Sequence, residues 1–183
     1  MHWPTYRASL VVKSGGVIAY PTETVWGIGC DPFHGGALQR VIDVKRRDAH
    51  KGLILVGSSI EQFDFLLEGM SENHLQILRD TWPGPFTYLV PHHDKVHPLV
   101  HGQFSTVAIR VSPHPGVQAL CDYVGSPIVS TSANYSGCPT VRSEVQARKV
   151  LGHEVDFVLS GPTGLAPGPS RIVDLMTGRV IRK

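Results

Sequence analysis

The chain has 183 residues, with 17 lysines and arginines, 15 aspartates and glutamates, and a formal net charge of +2. A hydrophobic content of 42% and a charged content of 17% are typical of a folded globular protein and exclude a disordered chain. Because the chain is nearly neutral, nucleic-acid binding would require a local basic patch. The length predicts a single domain over residues 1–183, large enough for a substantial core.

The cysteine usage and the lack of long apolar runs bear on the cellular location. Cys30, Cys121 and Cys138 are odd in number and have no C-x-x-C spacing, which argues against a disulfide framework and a thiolate zinc site. No apolar run approaches the roughly 18 residues of a membrane span. The N-terminus lacks the basic and apolar regions of a secretory signal. We therefore expect a cytoplasmic protein that does not enter the membrane.

The first half of the chain alternates apolar runs with turn residues. A glycine pair at residues 15–16 precedes a strand over residues 17–20, which Pro21 ends because proline has no amide hydrogen to donate to a ladder. A polar loop is predicted over residues 22–29. The next predicted elements are a helix over 37–45, a strand over 53–56, a helix that opens at Ser59, and a helix over 75–82 stopped by the Pro83-Gly84-Pro85 turn.

The second half contains more strands than helices. The predicted strands lie over residues 86–90, 107–111, 127–129, 157–159, 171–173 and 179–181, and the predicted helices open at Pro115 and span 143–151. Residues 161–169 are rich in glycine and proline and are predicted to form a flexible lid. Alternation of strands with helices predicts an α/β fold, and the clustered late strands predict a mixed sheet.

Two polar motifs follow this framework. Lys45, Arg47 and Lys51 place cations at the end of a helix and before a strand, where they would oppose the helix dipole or bind phosphates. Residues 130–134, with the sequence Ser-Thr-Ser-Ala-Asn, follow a buried strand and form either an ordinary turn or a set of small hydrogen-bonding groups. Together the motifs predict a site for a polyanion.

Other polar residues add to this site. Thr22 and Glu23 follow the first strand; Thr22 would cap a turn or bind a ligand, and Glu23 would pair with the cationic run or hold a metal. Thr106 and Arg110 are four apart on a strand and face the same side, where an arginine can grip a carboxylate or phosphate. Trp82 is expected to be buried at a helix stop. The histidines at positions 92, 93 and 97 are expected in a surface loop, not as metal ligands.

The chain lacks the sequence motifs of several enzyme classes. The chain has no G-x-x-x-x-G-K-[ST], no G-x-G-x-x-G after its first strand, no H-E-x-x-H and no G-x-S-x-G. These absences argue against a P-loop NTPase, a dinucleotide-binding enzyme, a zincin and an α/β-hydrolase.

The chain resembles the YrdC/TsaC family, the threonylcarbamoyl-AMP synthases of transfer-RNA modification, over nearly its whole length. The resemblance rests on residues 16–27, the Lys45/Arg47/Lys51 set, residues 82–85, residues 108–111 and residues 130–134. It implies a YrdC-like twisted α/β sheet with a basic concave face. It also implies the short bacterial form, and a link to binding of double-stranded RNA or tRNA.

The resemblance implies a reaction and a role for each matching residue. L-threonine, bicarbonate and ATP, with Mg²⁺, would give threonylcarbamoyl-adenylate and pyrophosphate, and a separate transferase complex would receive the adenylate. Lys45 and Arg47 would be the catalytic cations on the ATP phosphates. Thr22, Arg110, Ser130 and Ser170 would hold threonine, with Ser130 also within reach of the nucleotide. The remaining ATP-binding residues implied are Lys51, Thr106, Ser132, Asn134, Thr140 and Arg182.

Two other functions remain open at this point. The first is a non-catalytic module that binds double-stranded RNA through the same basic groove, with binding that falls steeply with salt and ignores ATP. The second is a carbamoyl-phosphate-using transferase of related fold. Such enzymes carry additional zinc and catalytic domains, for which this chain is too short.

Overall fold

A computed structural model describes residues 2–166 and 168–182. Nine strands in this part of the chain form one mixed sheet, in the order β7-β1-β2-β6-β3-β5-β4-β8-β9. Their bounds are β1 Ile18–Pro21, β2 Trp26–Gly29, β3 Ile54–Gly57, β4 Phe86–Pro91, β5 Thr106–Val111, β6 Ile128–Ser132, β7 Phe157–Val158, β8 Arg171–Asp174 and β9 Val180–Arg182. The pairs β1/β7, β3/β5 and β4/β8 are parallel, whereas the others are antiparallel. The prediction of a mixed α/β sheet is therefore confirmed.

Helices cover both faces of this sheet. Their bounds are α1 Trp3–Lys13, α2 Gly35–Lys45, α3 Asp64–Leu67, α4 Glu72–Thr81, α5 Pro98–His101, α6 Pro115–Val124 and α7 Glu144–Leu151. Helices α1 and α6 pack on the first face around Ile18 and Ile128, in one apolar cluster. Helices α2, α4 and α7 contribute to a larger cluster, which also holds the buried indole of Trp82. No helix in residues 2–166 and 168–182 is long and apolar enough to cross a membrane.

Helix α1 was not predicted from the sequence. Its buried residues, Thr5, Ala8, Ser9 and Val12, follow helical spacing. Two of the four are polar and one is alanine, so the buried face carries little of the hydrophobic periodicity that identifies a helix. It packs against α6, where the rings of Tyr6 and Tyr123 meet edge to face with centroids 5.8 Å apart.

Strand β2 lies within the segment predicted as a polar loop. Its sequence is Trp-Gly-Ile-Gly, and glycine is depleted in strands. A Cβ on Gly29 would lie 2.4 Å from the backbone oxygen of Val129 and 2.9 Å from the ring of Tyr20. Glycine is therefore required here because β1, β2 and β6 approach too closely for a side chain.

Two further predictions about local structure are wrong. The helix expected to open at Ser59 is a 3₁₀ turn at Glu61–Phe63 followed by the short α3, and the Gln62 Oε1 atom accepts a hydrogen bond from the Ser58 N–H at 3.0 Å. Residues 130–132, expected in a loop, instead continue β6. Because these polar residues pair with β2 and β3, their side chains are held at fixed positions on the sheet.

The strand register assembles one row of side chains from distant parts of the sequence. Ile54 of β3 lies opposite Ser130 of β6 on one side and Ala108 of β5 on the other. Leu89 of β4 extends the row, because it lies opposite Ala108. Residues directly opposite in a sheet point to the same face. This row forms the floor of the cavity described next.

Candidate functional site

A cavity of about 700 Å³ lies over the central strands. Its floor includes Ile54, Ala108 and Ser130, and the alternation of β5 adds Thr106 and Arg110 on the same face. A smaller recess of about 80 Å³ opens beside it and shares some of its lining. The larger volume is in the range of small-molecule sites.

The cavity is strongly electropositive. Five cationic side chains line it, namely Arg47, Lys51, Arg110, Arg142 and Arg182. Among the described lining residues, Glu23 is the only one with a carboxylate. Such a concavity concentrates anionic ligands. It matches the basic concave face that the family resemblance implies.

Arg110 and Glu23 form an ion pair inside the cavity. The Arg110 Nη2 and Glu23 Oε1 atoms are 3.1 Å apart, and the two side chains are 14% and 13% exposed. Arg110 also donates from Nε to the Gly84 carbonyl at 3.0 Å, and the Ser112 hydroxyl donates to Glu23 Oε1. Burial lowers the pKa of Arg110, and the charge of Glu23 acts in the opposite direction. The hypothesis that Glu23 pairs with the cationic run at 45–51 is therefore wrong.

Small hydroxyl groups surround this ion pair in the recess. The Thr22 hydroxyl donates to the Val25 carbonyl at 2.7 Å, which fixes the turn between β1 and β2. Ser170 is 6% exposed, and its hydroxyl lies 2.7 Å from that of Thr87. Arg182 donates from Nη2 to the Ser170 carbonyl at 2.8 Å. Thr22, Thr87 and Ser170 suit a small polar ligand, because each offers a hydroxyl group with little bulk.

The segment after β7 is hydrogen-bonded to the turn between β1 and β2. The Gly164 N–H donates to the Thr22 carbonyl at 2.9 Å, and the Ala166 N–H donates to the Glu23 carbonyl at 3.1 Å. The Thr24 hydroxyl donates to the Gly168 carbonyl at 3.0 Å. A Cβ on Gly164 would lie 2.8 Å from the Glu23 carbonyl oxygen, so only glycine allows this approach. Residues 164, 166 and 168 of the predicted lid thus lie against the turn that borders the cavity, whereas residue 167 lies outside the described residues. The flexibility of the segment stays a prediction.

Arg47 and Lys51 reach the cavity from the turn after α2. Lys51 ends a 3₁₀ turn whose first N–H groups are capped by Asp48, with the His50 N–H donating to Asp48 Oδ1 at 2.9 Å. Arg47 donates from Nη2 to the Gly52 carbonyl at 3.1 Å. Its buried Nε–H has no hydrogen-bond partner among the described residues. Arg47 is therefore anchored at one nitrogen and has an unused donor at another.

Lys45 is placed differently from these two cations. It is 3% exposed and is absent from the described lining of the cavity. Its ammonium group donates to the Ser132 and Asn134 carbonyls, the latter at 2.9 Å. The ammonium group joins the end of α2 to the end of β6, and its predicted contact with ATP stays a prediction.

Asn134 is also absent from the cavity lining. Its side-chain amide donates to the Cys138 carbonyl at 2.6 Å and to the Tyr135 carbonyl at 3.0 Å, closing a local turn. Together, Lys45 and Asn134 fix the backbone next to Ser132. Of the predicted site residues, the ten that line the cavity are Thr22, Arg47, Lys51, Thr106, Arg110, Ser130, Ser132, Thr140, Ser170 and Arg182.

Some cavity residues were not predicted from the sequence. Arg142 and Phe104 lie in irregular segments without a strand or helix pattern to orient them. His101, also in the lining, stacks on His92 with ring centroids 4.0 Å apart. His92 is 8% exposed, so the expectation of a surface residue is wrong for this histidine. Among these residues, the positive charge of Arg142 was the only feature of the sequence that could have indicated a place in the site.

The buried ammonium of Lys45 predicts a pH-dependent stability. Burial and the nearby Arg47 charge lower the pKa of Lys45 from 10.5 to about 8. Between these pH values the unfolded chain binds a proton that the folded chain does not, so stability rises with pH. The unfolding free energy of wild type relative to Lys45→Met should increase by up to about 3 kcal/mol across this window.

Urea unfolding of both proteins at several pH values between 7.5 and 10 measures this difference. The Lys45→Met variant shares every other titrating group, so their contributions cancel. A difference that stays constant with pH would show that the two carbonyl contacts keep the ammonium charged despite its burial.

Comparison with known proteins relates this site to a family. The Sua5/YciO/YrdC family model, described as telomere recombination, matches residues 10–183. The threonylcarbamoyl-AMP synthase of Pseudomonas entomophila (strain L48) is 47% identical over 180 residues, covering 98% of this chain and 97% of the relative. That of Pseudomonas paraeruginosa is 49% identical over 175 residues, covering 96% of this chain and 94% of the relative.

Solved structures show the same relationship. Sua5 of P. abyssi complexed with L-threonine superposes with a TM-score of 0.90 at 28% identity, over 98% of this chain and 53% of that chain. This chain thus spans about half the length of that Sua5. E. coli YciO gives a TM-score of 0.86 at 23% identity, over 100% of this chain and 90% of that one, and shows the fold alone. The chain belongs to the Sua5/YciO/YrdC family, as the sequence motifs predicted.

Proposed function

We propose that this protein is a threonylcarbamoyl-AMP synthase, which converts L-threonine, bicarbonate and ATP to threonylcarbamoyl-adenylate and pyrophosphate. The observation that carries the proposal is the near full-length identity of 46 to 49% with relatives of that name. The cavity supports it, because a cationic chamber for phosphates adjoins a hydroxyl-lined recess sized for a small polar group.

The chemistry requires two bond-forming steps. The threonine amine attacks the carbon of bicarbonate, and loss of water leaves a carbamate. A carbamate oxygen then attacks the α-phosphorus of ATP, and pyrophosphate leaves. Both steps need the reactants held in position and negative charge stabilised, which fixed cations in the cavity provide, and the second step also needs in-line attack on the α-phosphorus.

The cavity residues divide between the substrates. Arg47 and Lys51 serve the ATP phosphates, since both lie on the turn after α2 and neither has a carboxylate partner among the described residues. Thr22, Arg110 and Ser170 serve threonine, because they line both the cavity and the recess. The remaining assignments are Ser130 to either substrate and Thr106, Ser132, Thr140 and Arg182 to the nucleotide. For Lys45 and Asn134, which hold the backbone beside Ser132, we propose a supporting role.

Mg²⁺ fits this site as a companion of ATP. The described residues gather no group of three or more histidine, cysteine, aspartate or glutamate side chains. The oxygen groups in the cavity that could bind the ion are hydroxyls and one carboxylate, so phosphate oxygens and water would supply most of the coordination. When bound, the ion neutralises phosphate charge.

The proposal extends to the fate of the product. The adenylate would pass to a separate transferase complex that modifies tRNA, in the cytoplasm. A non-catalytic module for double-stranded RNA is less well supported, because the cavity and its small recess have volumes suited to small molecules. Such a module would bind RNA with a steep salt dependence and without regard to ATP.

Substrate omission tests the proposed reaction. Pyrophosphate release from ATP and Mg²⁺ should require threonine and bicarbonate together, because the nucleophile exists only after the amino acid is carboxylated. The assay measures pyrophosphate with each component left out in turn, in buffer freed of carbon dioxide. Equal release from ATP alone would contradict the proposal.

The cations of the turn after α2 give a second test. Arg47→Ala should lower kcat/KM for ATP by about 100- to 1,000-fold, by analogy with loss of a donor that stabilises developing charge. Arg46→Ala is the matched control, because Arg46 is the neighbouring residue but stacks on Tyr135 outside the cavity lining.

Steady-state kinetics with ATP as the varied substrate measures both variants, and urea unfolding checks that they remain folded. The kcat/KM of Arg46→Ala for ATP should stay within about threefold of the wild-type value, as expected for a change on the surface. Equal rates for the two variants would place Arg47 outside the reaction.

A further inference from the structure

Glu23 is unusual for a cavity that must hold several anions. It contributes a single carboxylate among five cationic side chains of the described lining. Its charge opposes the binding of ATP and bicarbonate, since a partly buried negative charge repels them in a low dielectric. If Glu23 served only as an ion-pair partner for Arg110, the position of its second carboxylate oxygen would have no explanation.

Only one of the two carboxylate oxygens of Glu23 accepts a hydrogen bond from another residue in the described part of the chain. Oε1 receives both contacts, from Arg110 Nη2 at 3.1 Å and from the Ser112 hydroxyl. Oε2 has no hydrogen bond within residues 2–166 and 168–182, and it is not among their enclosed polar atoms without a partner. Oε2 is therefore an acceptor open to the cavity.

Arg110 is used unequally in the same way. Nε donates to the Gly84 carbonyl at 3.0 Å and Nη2 faces Glu23, whereas Nη1 makes no hydrogen bond in the described part of the chain. The free atoms of the pair are thus one donor with positive charge and one acceptor with negative charge. Both residues line the cavity and the recess.

A pair of this kind matches an α-amino acid. The substrate is a zwitterion, with its carboxylate and ammonium two bonds apart on either side of one carbon. We infer that Arg110 and Glu23 act as a pair that recognises the zwitterion, with Arg110 binding the carboxylate and Glu23 Oε2 accepting a hydrogen bond from the ammonium group of threonine. The inference rests on the proposed function, because it takes threonine as the ligand.

The backbone around Glu23 is held for this purpose from two directions. The Thr22 hydroxyl and N–H both contact the Val25 carbonyl, at 2.7 and 3.1 Å. The Ala166 N–H donates to the Glu23 carbonyl at 3.1 Å. A carboxylate positioned in this way loses little conformational entropy when a ligand binds.

The test compares L-threonine with its analogue that lacks the amino group, (3R)-3-hydroxybutyrate. Both ligands carry the same carboxylate, methyl and hydroxyl groups. Calorimetric titration of wild type, with a chelator and without ATP, should show threonine binding roughly 10- to 100-fold more tightly, the range of one charge-assisted hydrogen bond. Glu23→Gln should reduce this ratio to within about threefold.

The ratio of the two affinities distinguishes direct recognition of the ammonium group by Glu23 from an indirect role in holding Arg110. If Glu23 only held Arg110 in place, Glu23→Gln would weaken both ligands equally and the wild-type ratio would persist, which would overturn the inference. Glu72→Gln, a change at a side chain that is 73% exposed, is the control and should keep the wild-type ratio. Thermal unfolding in parallel establishes that each variant is folded.

The measurement on wild type can overturn the inference even if Glu23→Gln does not fold. Equal affinity of wild type for the two ligands would show that the ammonium group is not read, and would overturn the inference while leaving threonine as a ligand. Absence of threonine binding to wild type, with and without ATP, would instead contradict the proposed function itself.

Discussion

The pairing of β3 with two neighbours of opposite direction is the constraint on which the cavity depends. β5 runs parallel to β3 and β6 runs antiparallel to it. The register therefore fixes Ser130, Ile54 and Ala108 in one row, although they lie far apart in the sequence. A slip of one residue in either pairing would turn this row to the opposite face. Every polar group of the cavity floor is placed by this register.

The charged groups around the floor serve different purposes. Lys45 is buried and donates to two carbonyls, so its ammonium group links the end of α2 to the end of β6. Arg47, two residues later, lines the cavity and keeps an unused donor. Two cations of one short run in the sequence are thus placed differently, one buried between α2 and β6 and one in the cavity lining. Charge and spacing alone do not distinguish them, because both follow the same helix end.

The fold was largely predictable from the sequence, except where small residues replace hydrophobic ones. Hydrophobic periodicity correctly predicts α2 and β5. It misses α1, whose buried face includes Thr5 and Ser9, and β2, whose glycines allow neighbouring strands to approach. Its boundary for β6 is early, because polar side chains at 130–132 resemble a loop although their backbone pairs within the sheet.

The sequence predicted which residues form the site better than it predicted how they are arranged. Alternation along β5 correctly places Thr106 and Arg110 on one face. The partner of Arg110 could not be predicted, because Glu23 and Arg110 are joined only through the order of the strands. Arg142 was missed since it lies between regular elements. The family motifs supplied the roles that spacing could not.

The central claim is that one cavity joins threonine, bicarbonate and ATP. The most direct measurement is mass spectrometry of the adenylate formed with carbon-13 bicarbonate and L-threonine. The account predicts an AMP conjugate that contains threonine and one labelled carbon, formed in equal amount with pyrophosphate. An adenylate that contains threonine but not the labelled carbon would contradict the account. Release of pyrophosphate with free AMP as the only other nucleotide product at the earliest times would also contradict it.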